Sequence, residues 1–63
     1  MIEMQTEVKL VNPRPEDPWV HGEYATVLDV IWPLAGSDPP TYIVEAEGSD
    51  LWEVDEDQME KAG

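Results

Sequence analysis

The chain has 63 residues, and its fifteen Asp and Glu residues against three Lys and Arg residues give a formal net charge of −12 at pH 7. This charge repels phosphate groups, so we expect no direct binding to nucleic acid or to an anionic membrane, and a basic protein as partner. The length predicts a single domain, residues 1–63, and the absence of cysteine excludes disulfides and cysteine-bound zinc. Neither a membrane span nor a basic signal region is visible, which favours a cytoplasmic protein. We expect no cofactor.

The first predicted element is a strand. Residues 2–10 alternate between apolar and polar side chains, which is the period of a half-buried strand. Residues 12–22 then contain Pro13, Pro15 and Pro18, which cannot donate to a sheet ladder. We therefore expect a long ordered loop here, and loops of this length in small domains are often functional.

Residues 24–32 are rich in β-branched and aromatic side chains and predict a second strand. The alternation fails at Asp29, which falls where Val30 is expected. One extra residue near Leu28, a β-bulge, would return Val30 to the inside and bend the strand. Residues 33–40 contain Gly and Pro and are predicted to form a second loop.

Residues 41–46 and 51–55 predict two strands joined by a tight hairpin. A loop of two or four residues would mix glutamates with core positions, whereas a three-residue loop over residues 47–49 avoids this, so burial favours the latter. The favoured register places four side chains on one apolar face: Tyr42, Val44, Trp52 and Val54.

The end of the chain has the pattern of a helix start. Asp55 and Gln58 are spaced as a capping box, acids follow in the first turn, and Lys61 and Gly63 suit a helix end. This pattern predicts a short C-terminal helix of about one and a half turns.

The predicted order of elements resembles that of an SH3-like small barrel. Residues 22–30 also resemble the core of a KOW-type motif, in which Gly22 opens the strand, the small Ala25 follows, and Val27 and Val30 are the apolar positions. The resemblance covers about residues 7–60 and implies an all-β barrel of four to five strands with the short C-terminal helix.

The family resemblance implies little about the function of this chain. KOW domains that contact RNA are basic, and the adjacent tyrosines and paired tryptophans of peptide-binding SH3 domains are missing here. A short acidic barrel also resembles small accessory proteins of bacteriophages, which implies a protein that modulates a host protein.

Aromatic and proline residues outside the clearest core positions are candidates for partner binding. Trp19 lies in the first proline-rich loop and Trp32 precedes Pro33, and both residue types are common in binding hot spots. The alternative for each tryptophan is that it folds back to close the core. The candidate partner-binding residues are Trp19, His21, Tyr24, Trp32, Pro39 and Pro40.

The acidic residues suggest a second function. In a nucleic-acid mimic, carboxylates take the place of phosphates in the basic groove of a DNA- or RNA-binding protein, and several strands must contribute because duplex DNA carries a charge every ~1.7 Å. The same charge also simply keeps a small protein soluble. The spacing does not match an EF-hand, so no metal site is predicted. The candidate acidic surface contains Glu45, Glu47, Glu53, Asp55, Glu56, Asp57 and Glu60.

No group of residues indicates catalysis. The sole imidazole, His21, lies beside a turn glycine, and the chain has no cysteine nucleophile, phosphate-binding glycine loop or serine elbow. We therefore expect a non-enzymatic protein-binding module, with the nucleic-acid mimic as the alternative. Formation of a homo-oligomer through an edge strand is a third hypothesis, because a long first strand would leave amides unpaired.

Overall fold

The structure, a computed structural model, describes residues 3–34 and 36–62. The elements are β1 (Glu7–Leu10), β2 (Tyr24–Ile31), β3 (Thr41–Ala46), β4 (Leu51–Asp55), a 3-10 turn (Glu56–Gln58) and β5 (Met59–Lys61). The strands form one antiparallel sheet in the order β4-β3-β2-β1-β5, and β4 and β5 are the two edges, so the sheet is not closed. The prediction of an all-β fold is confirmed.

The first strand is shorter than its alternation predicted. Strand β1 begins at Glu7, because Gln5 has a positive φ of 67° that interrupts the extended backbone before it. Ile2, which the prediction included, lies outside the described residues. Although Gln5 leaves the strand, its backbone N–H still donates to the Val27 carbonyl (2.6 Å).

The predicted bulge in β2 is confirmed. Val27 pairs with Val44 and the next pair is Asp29 with Ile43, so Leu28 is the extra residue. After the bulge, Val30 packs against the core as a partly buried side chain.

The hairpin has the predicted register. Val44 lies opposite Trp52 and Tyr42 opposite Val54. The loop closes with the Ser49 N–H donating to the Ala46 carbonyl (3.0 Å), and Gly48 takes a positive φ of 93° that suits glycine. Three of the four paired side chains are buried and the fourth, Trp52, is partly buried against them.

The predicted C-terminal helix is wrong. A 3-10 turn is followed by β5, which pairs with β1 through Leu10 opposite Met59 and Val8 opposite Lys61. This pairing satisfies the free edge of β1 and buries Met59 in the core, two gains that a solvent-facing helix would not give. Gly63, the expected helix end, lies outside the described residues.

The capping-box pairing is present in the 3-10 turn. The Asp55 backbone N–H donates to Gln58 Oε1 (3.1 Å). The pairing stabilises the turn although no α-helix follows. Strand β1 lies between β2 and β5, so it is paired on both sides, and the edges of the sheet are β4 and β5. The hypothesis of a homo-oligomer through an edge strand stays a prediction.

The core lies on one side of the bent sheet and includes one residue from the loop between β1 and β2. The buried core cluster contains Val8, Leu10, Trp19, Ala25, Val27, Tyr42, Val44, Ala46, Val54 and Met59.

Within the described residues, no helix is long and apolar enough to cross a membrane.

Candidate functional site

The β1–β2 loop (residues 11–23) buries its tryptophan. Trp19 is 3% exposed and belongs to the core cluster, so of the two alternatives for this residue the structure has the core one. Its indole Nε1 is buried and has no hydrogen-bond partner in the part of the chain that the structure describes. A side chain so enclosed offers almost no surface to a partner.

Gln58 holds this loop in place from the other end of the chain. Its side chain is buried, and Nε2 donates to the Asn12 carbonyl (3.1 Å) and to Asp17 Oδ2 (3.0 Å). Asp17 Oδ2 also accepts from the Arg14 backbone N–H (2.8 Å). The buried Gln58 amide thus joins Asn12 and Asp17 of the β1–β2 loop to the 3-10 turn.

Two charged residues of the loop, Arg14 and Asp17, bind Asp55 at the end of β4 and Gln58 of the 3-10 turn. The hydrogen bond from the Arg14 backbone N–H lowers the pKa of the Asp17 carboxyl; partial desolvation opposes this shift, and the Gln58 amide reinforces it. The Arg14 guanidinium donates to the Asp55 carboxylate, and this hydrogen bond raises the pKa of Arg14. These contacts hold the loop over the core.

The β2–β3 loop (residues 32–40) exposes two large apolar side chains to solvent. Trp32 is 60% exposed, Leu34 is fully exposed, and the preceding Ile31 is also exposed. None of the loop's described residues makes a side-chain hydrogen bond or ion pair. Trp32 was predicted from the sequence and Leu34 was not, although the position of Leu34 directly after Pro33 and near Gly36 was a signal for exposure.

The same loop borders an acidic groove. Pro39, which is exposed, lines a groove of about 440 Å³ with Asp55, Glu56 and Asp57. The Tyr42 hydroxyl donates to Oε1 of Glu56, the first residue of the 3-10 turn (3.2 Å). The structure thereby brings one predicted proline together with three residues of the predicted acidic surface, while Pro40 is half-buried.

The remaining predicted aromatic residue lies elsewhere. Tyr24 is exposed at the start of β2, the opposite end of that strand from Trp32, in a groove of about 200 Å³ that Glu45 and Glu47 also line. His21 is exposed, and its Nδ1 accepts from the Asn12 backbone N–H (3.4 Å). The predicted partner-binding residues therefore do not form one patch.

The outer face of β2, β3 and β4 combines apolar and acidic residues, a surface that sequence analysis missed. Ile43 on β3 lies between Asp29 of β2 and Glu53 of β4 in one cross-strand row. In the neighbouring row Glu45 lies opposite Leu51. The alternation within each strand shows that these residues share the outer face. Which of them lie side by side on β2 and β3 depends on the bulge in β2.

The acidic residues do not assemble into a metal site. In the described part of the chain, no three or more His, Cys, Asp or Glu side chains gather in a group that could hold a metal ion. Glu60, the last residue of the predicted acidic surface, lies apart on edge strand β5, opposite Lys9.

Comparison with known proteins gave no match to a protein-family model, to a curated protein or to a solved structure. The resemblances to SH3-like and KOW-type domains and to bacteriophage accessory proteins therefore stay predictions.

Proposed function

We propose that the protein is a non-enzymatic protein-binding module that binds its partner through the exposed apolar surface of the β2–β3 loop. The exposure of Trp32, 60% of its surface, carries this proposal. A large apolar side chain left in water forgoes the stabilisation that burial would give, and tryptophan is enriched among residues that dominate binding energy. Leu34 extends the apolar surface within the same loop.

The charge beside this loop supports a basic partner. Pro39 of the loop shares its groove with three acidic residues of the 3-10 turn, and the whole chain carries a net charge of −12. Acidic rims around an apolar centre select partners of opposite charge and speed their association. The partner we propose therefore presents an apolar contact surface with Lys or Arg residues around it. A host protein that an accessory protein modulates is the kind of partner we propose.

We further propose that the sheet is an SH3-like small barrel. The strand order, the bulge in β2, the long β1–β2 loop and the 3-10 turn between β4 and β5 support this assignment. Because one fold hosts many functions, the assignment adds no partner of its own.

The test is partner capture with two matched variants. Trp32→Ala should keep the melting curve of the wild type and lose capture of the partner from cell lysate, identified by mass spectrometry. Val20→Ala, which alters an apolar residue of the β1–β2 loop that is also exposed, should retain capture. If the Trp32→Ala protein captures the same partner as well as the wild type, the β2–β3 loop is not the binding surface.

The nucleic-acid mimic remains the second candidate, and one observation favours it. Asp29, Glu45 and Glu53 lie on the outer side of the sheet, and strands β2, β3 and β4 contain no Lys or Arg. A mimic should lose affinity for its basic target steeply as salt rises, whereas an apolar contact should depend on salt only weakly. Affinity measured for the captured partner at several salt concentrations separates the two functions.

A further inference from the structure

We propose that the outer face of β2, β3 and β4 is a docking surface for a basic amphipathic α-helix of a partner protein. The proposal rests on the proposed function, because it assumes a protein-binding module. It concerns a different surface from that of Trp32, however, and names the chemistry and shape of what binds there.

Three apolar residues form a diagonal across this face. Leu51 on β4, Ile43 on β3 and Ile31 on β2 each lie one strand over and two residues along from the last, as the cross-strand pairs show. With neighbouring strands ~4.8 Å apart and a rise of ~3.3 Å per residue, the diagonal is roughly 16 Å long. Leu51 and Ile31 are exposed and Ile43 is half-buried, so the surface is shallow and open to solvent.

Carboxylates flank the diagonal on both sides. Asp29 and Glu45 lie on one side and Glu53 and Asp55 on the other, as their cross-strand pairs place them. Asp55 is paired with Arg14, but within the described residues no Lys or Arg forms an ion pair with the other three. The face therefore carries negative charge that no Lys or Arg of the described residues neutralises by an ion pair, and a basic partner would complement it.

A helix fits this face better than an added strand. Strand β3, at the centre of the face, is paired on both edges, so its backbone has no ladder bonds left to offer. A helix of about eleven residues spans roughly 16 Å and presents apolar side chains in a stripe at intervals of three and four residues. Lys and Arg residues on both flanks of that stripe would lie opposite the two carboxylate rows.

The probe for this proposal is a synthetic peptide of about eighteen residues, long enough to form a helix, with a leucine stripe flanked on both sides by lysines. It is titrated into isotope-labelled protein and followed by NMR. We expect saturable shifts centred on the amides of Ile31, Ile43 and Leu51. A peptide of the same composition in scrambled order, with equal charge but no apolar stripe, should bind at least about tenfold more weakly, because it cannot bury the diagonal.

Variants test the two components of the face. Leu51→Ser should weaken binding of the peptide about tenfold, whereas Val20→Ser, at another exposed apolar residue, should not. The double variant Glu45→Gln and Glu53→Gln should weaken binding at low salt and flatten its salt dependence. All four side chains are exposed, so these variants should remain folded, and a melting curve on each variant checks this directly.

Three results would overturn the proposal: equal binding of the scrambled peptide, equal effects of Leu51→Ser and Val20→Ser, or shifts centred on the β2–β3 loop. Trp32→Ala separates this proposal from the proposed function. Peptide binding that survives Trp32→Ala supports the sheet face as a distinct docking surface. If the peptide fails to bind while partner capture still depends on Trp32, the docking proposal falls and the proposed function stands.

Discussion

The β1–β2 loop and the β2–β3 loop each contain a tryptophan, and the two side chains have opposite environments. Trp19 is 3% exposed, whereas Trp32 is 60% exposed. The first loop is tied to the 3-10 turn by Gln58 and by the pair of Arg14 with Asp55, and the described residues of the second loop have no such side-chain contact. Polar anchors thus distinguish the loop that completes the core from the loop whose tryptophan stays exposed.

The largest expected effect is at Trp19. Trp19→Ala should lower the free energy of unfolding by about 3–5 kcal/mol because it leaves a cavity in the core. Trp32→Ala should change it by less than about 0.5 kcal/mol, as for most exposed positions. Urea denaturation of both variants measures the difference, and equal losses would contradict the contrast between the loops.

Trp19→Phe provides a folded variant if Trp19→Ala does not fold. It keeps an aromatic ring in the core and removes the indole N–H that has no partner. Because a buried N–H without a hydrogen bond costs about 1–3 kcal/mol, its removal should offset part of the lost packing. Trp19→Phe should therefore be much less destabilising than Trp19→Ala in the same denaturation experiment.

The next largest effect is expected when the anchor of the β1–β2 loop is broken. Gln58→Glu replaces the donating Nε2 with an oxygen that faces the Asn12 carbonyl and the Asp17 carboxylate. The loss of both bonds and the repulsion from Asp17 should cost about 3 kcal/mol at neutral pH. Asp57→Asn, at an exposed neighbour, is the control and should melt like the wild type. Normal stability of Gln58→Glu would show that the loop does not depend on this amide.

The smallest effect is a pH dependence. The pKa of Asp17 is lower in the folded protein than its usual value, so the carboxylate stabilises the fold above that usual value and the contribution is lost as pH falls through the lowered pKa. Asp17→Asn should reduce the fall in melting temperature below about pH 4. Glu16→Gln, at the exposed neighbour, should retain the wild-type fall. Identical curves for the two variants would contradict a stabilising role for ionised Asp17.

Sequence patterns predicted the parts of the fold that depend on local alternation. The register of Val44 with Trp52 follows from burial along two adjacent strands, and the bulge near Leu28 follows from a single break in alternation. In each case the signal lies within a few residues of the feature. The candidate Trp32 came from similar local reasoning, since a proline follows it.

Features that depend on distant contacts could not be predicted in this way. Strand β5 has three residues and no alternation long enough to detect, and the capping-box pattern of Asp55 and Gln58 occurs in a 3-10 turn as well as in a helix. Trp19 lies in a loop that Gln58 bonds at Asn12 and Asp17, across more than forty residues of sequence. The sequence shows both tryptophans beside a proline and cannot rank their burial.

The contrast in tryptophan environments also gives the protein its own optical reporters. A buried indole whose N–H lacks a partner, as in Trp19, emits at shorter wavelength than an indole in water, and Trp32 is the most exposed of the three tryptophans. Collisional quenchers in solution should therefore reach Trp32 first and Trp19 last. Against the constant emission of the partly buried Trp52, a change in the blue part of the spectrum reports whether the β1–β2 loop is docked on the core. A change in the red part reports whether the β2–β3 loop is covered.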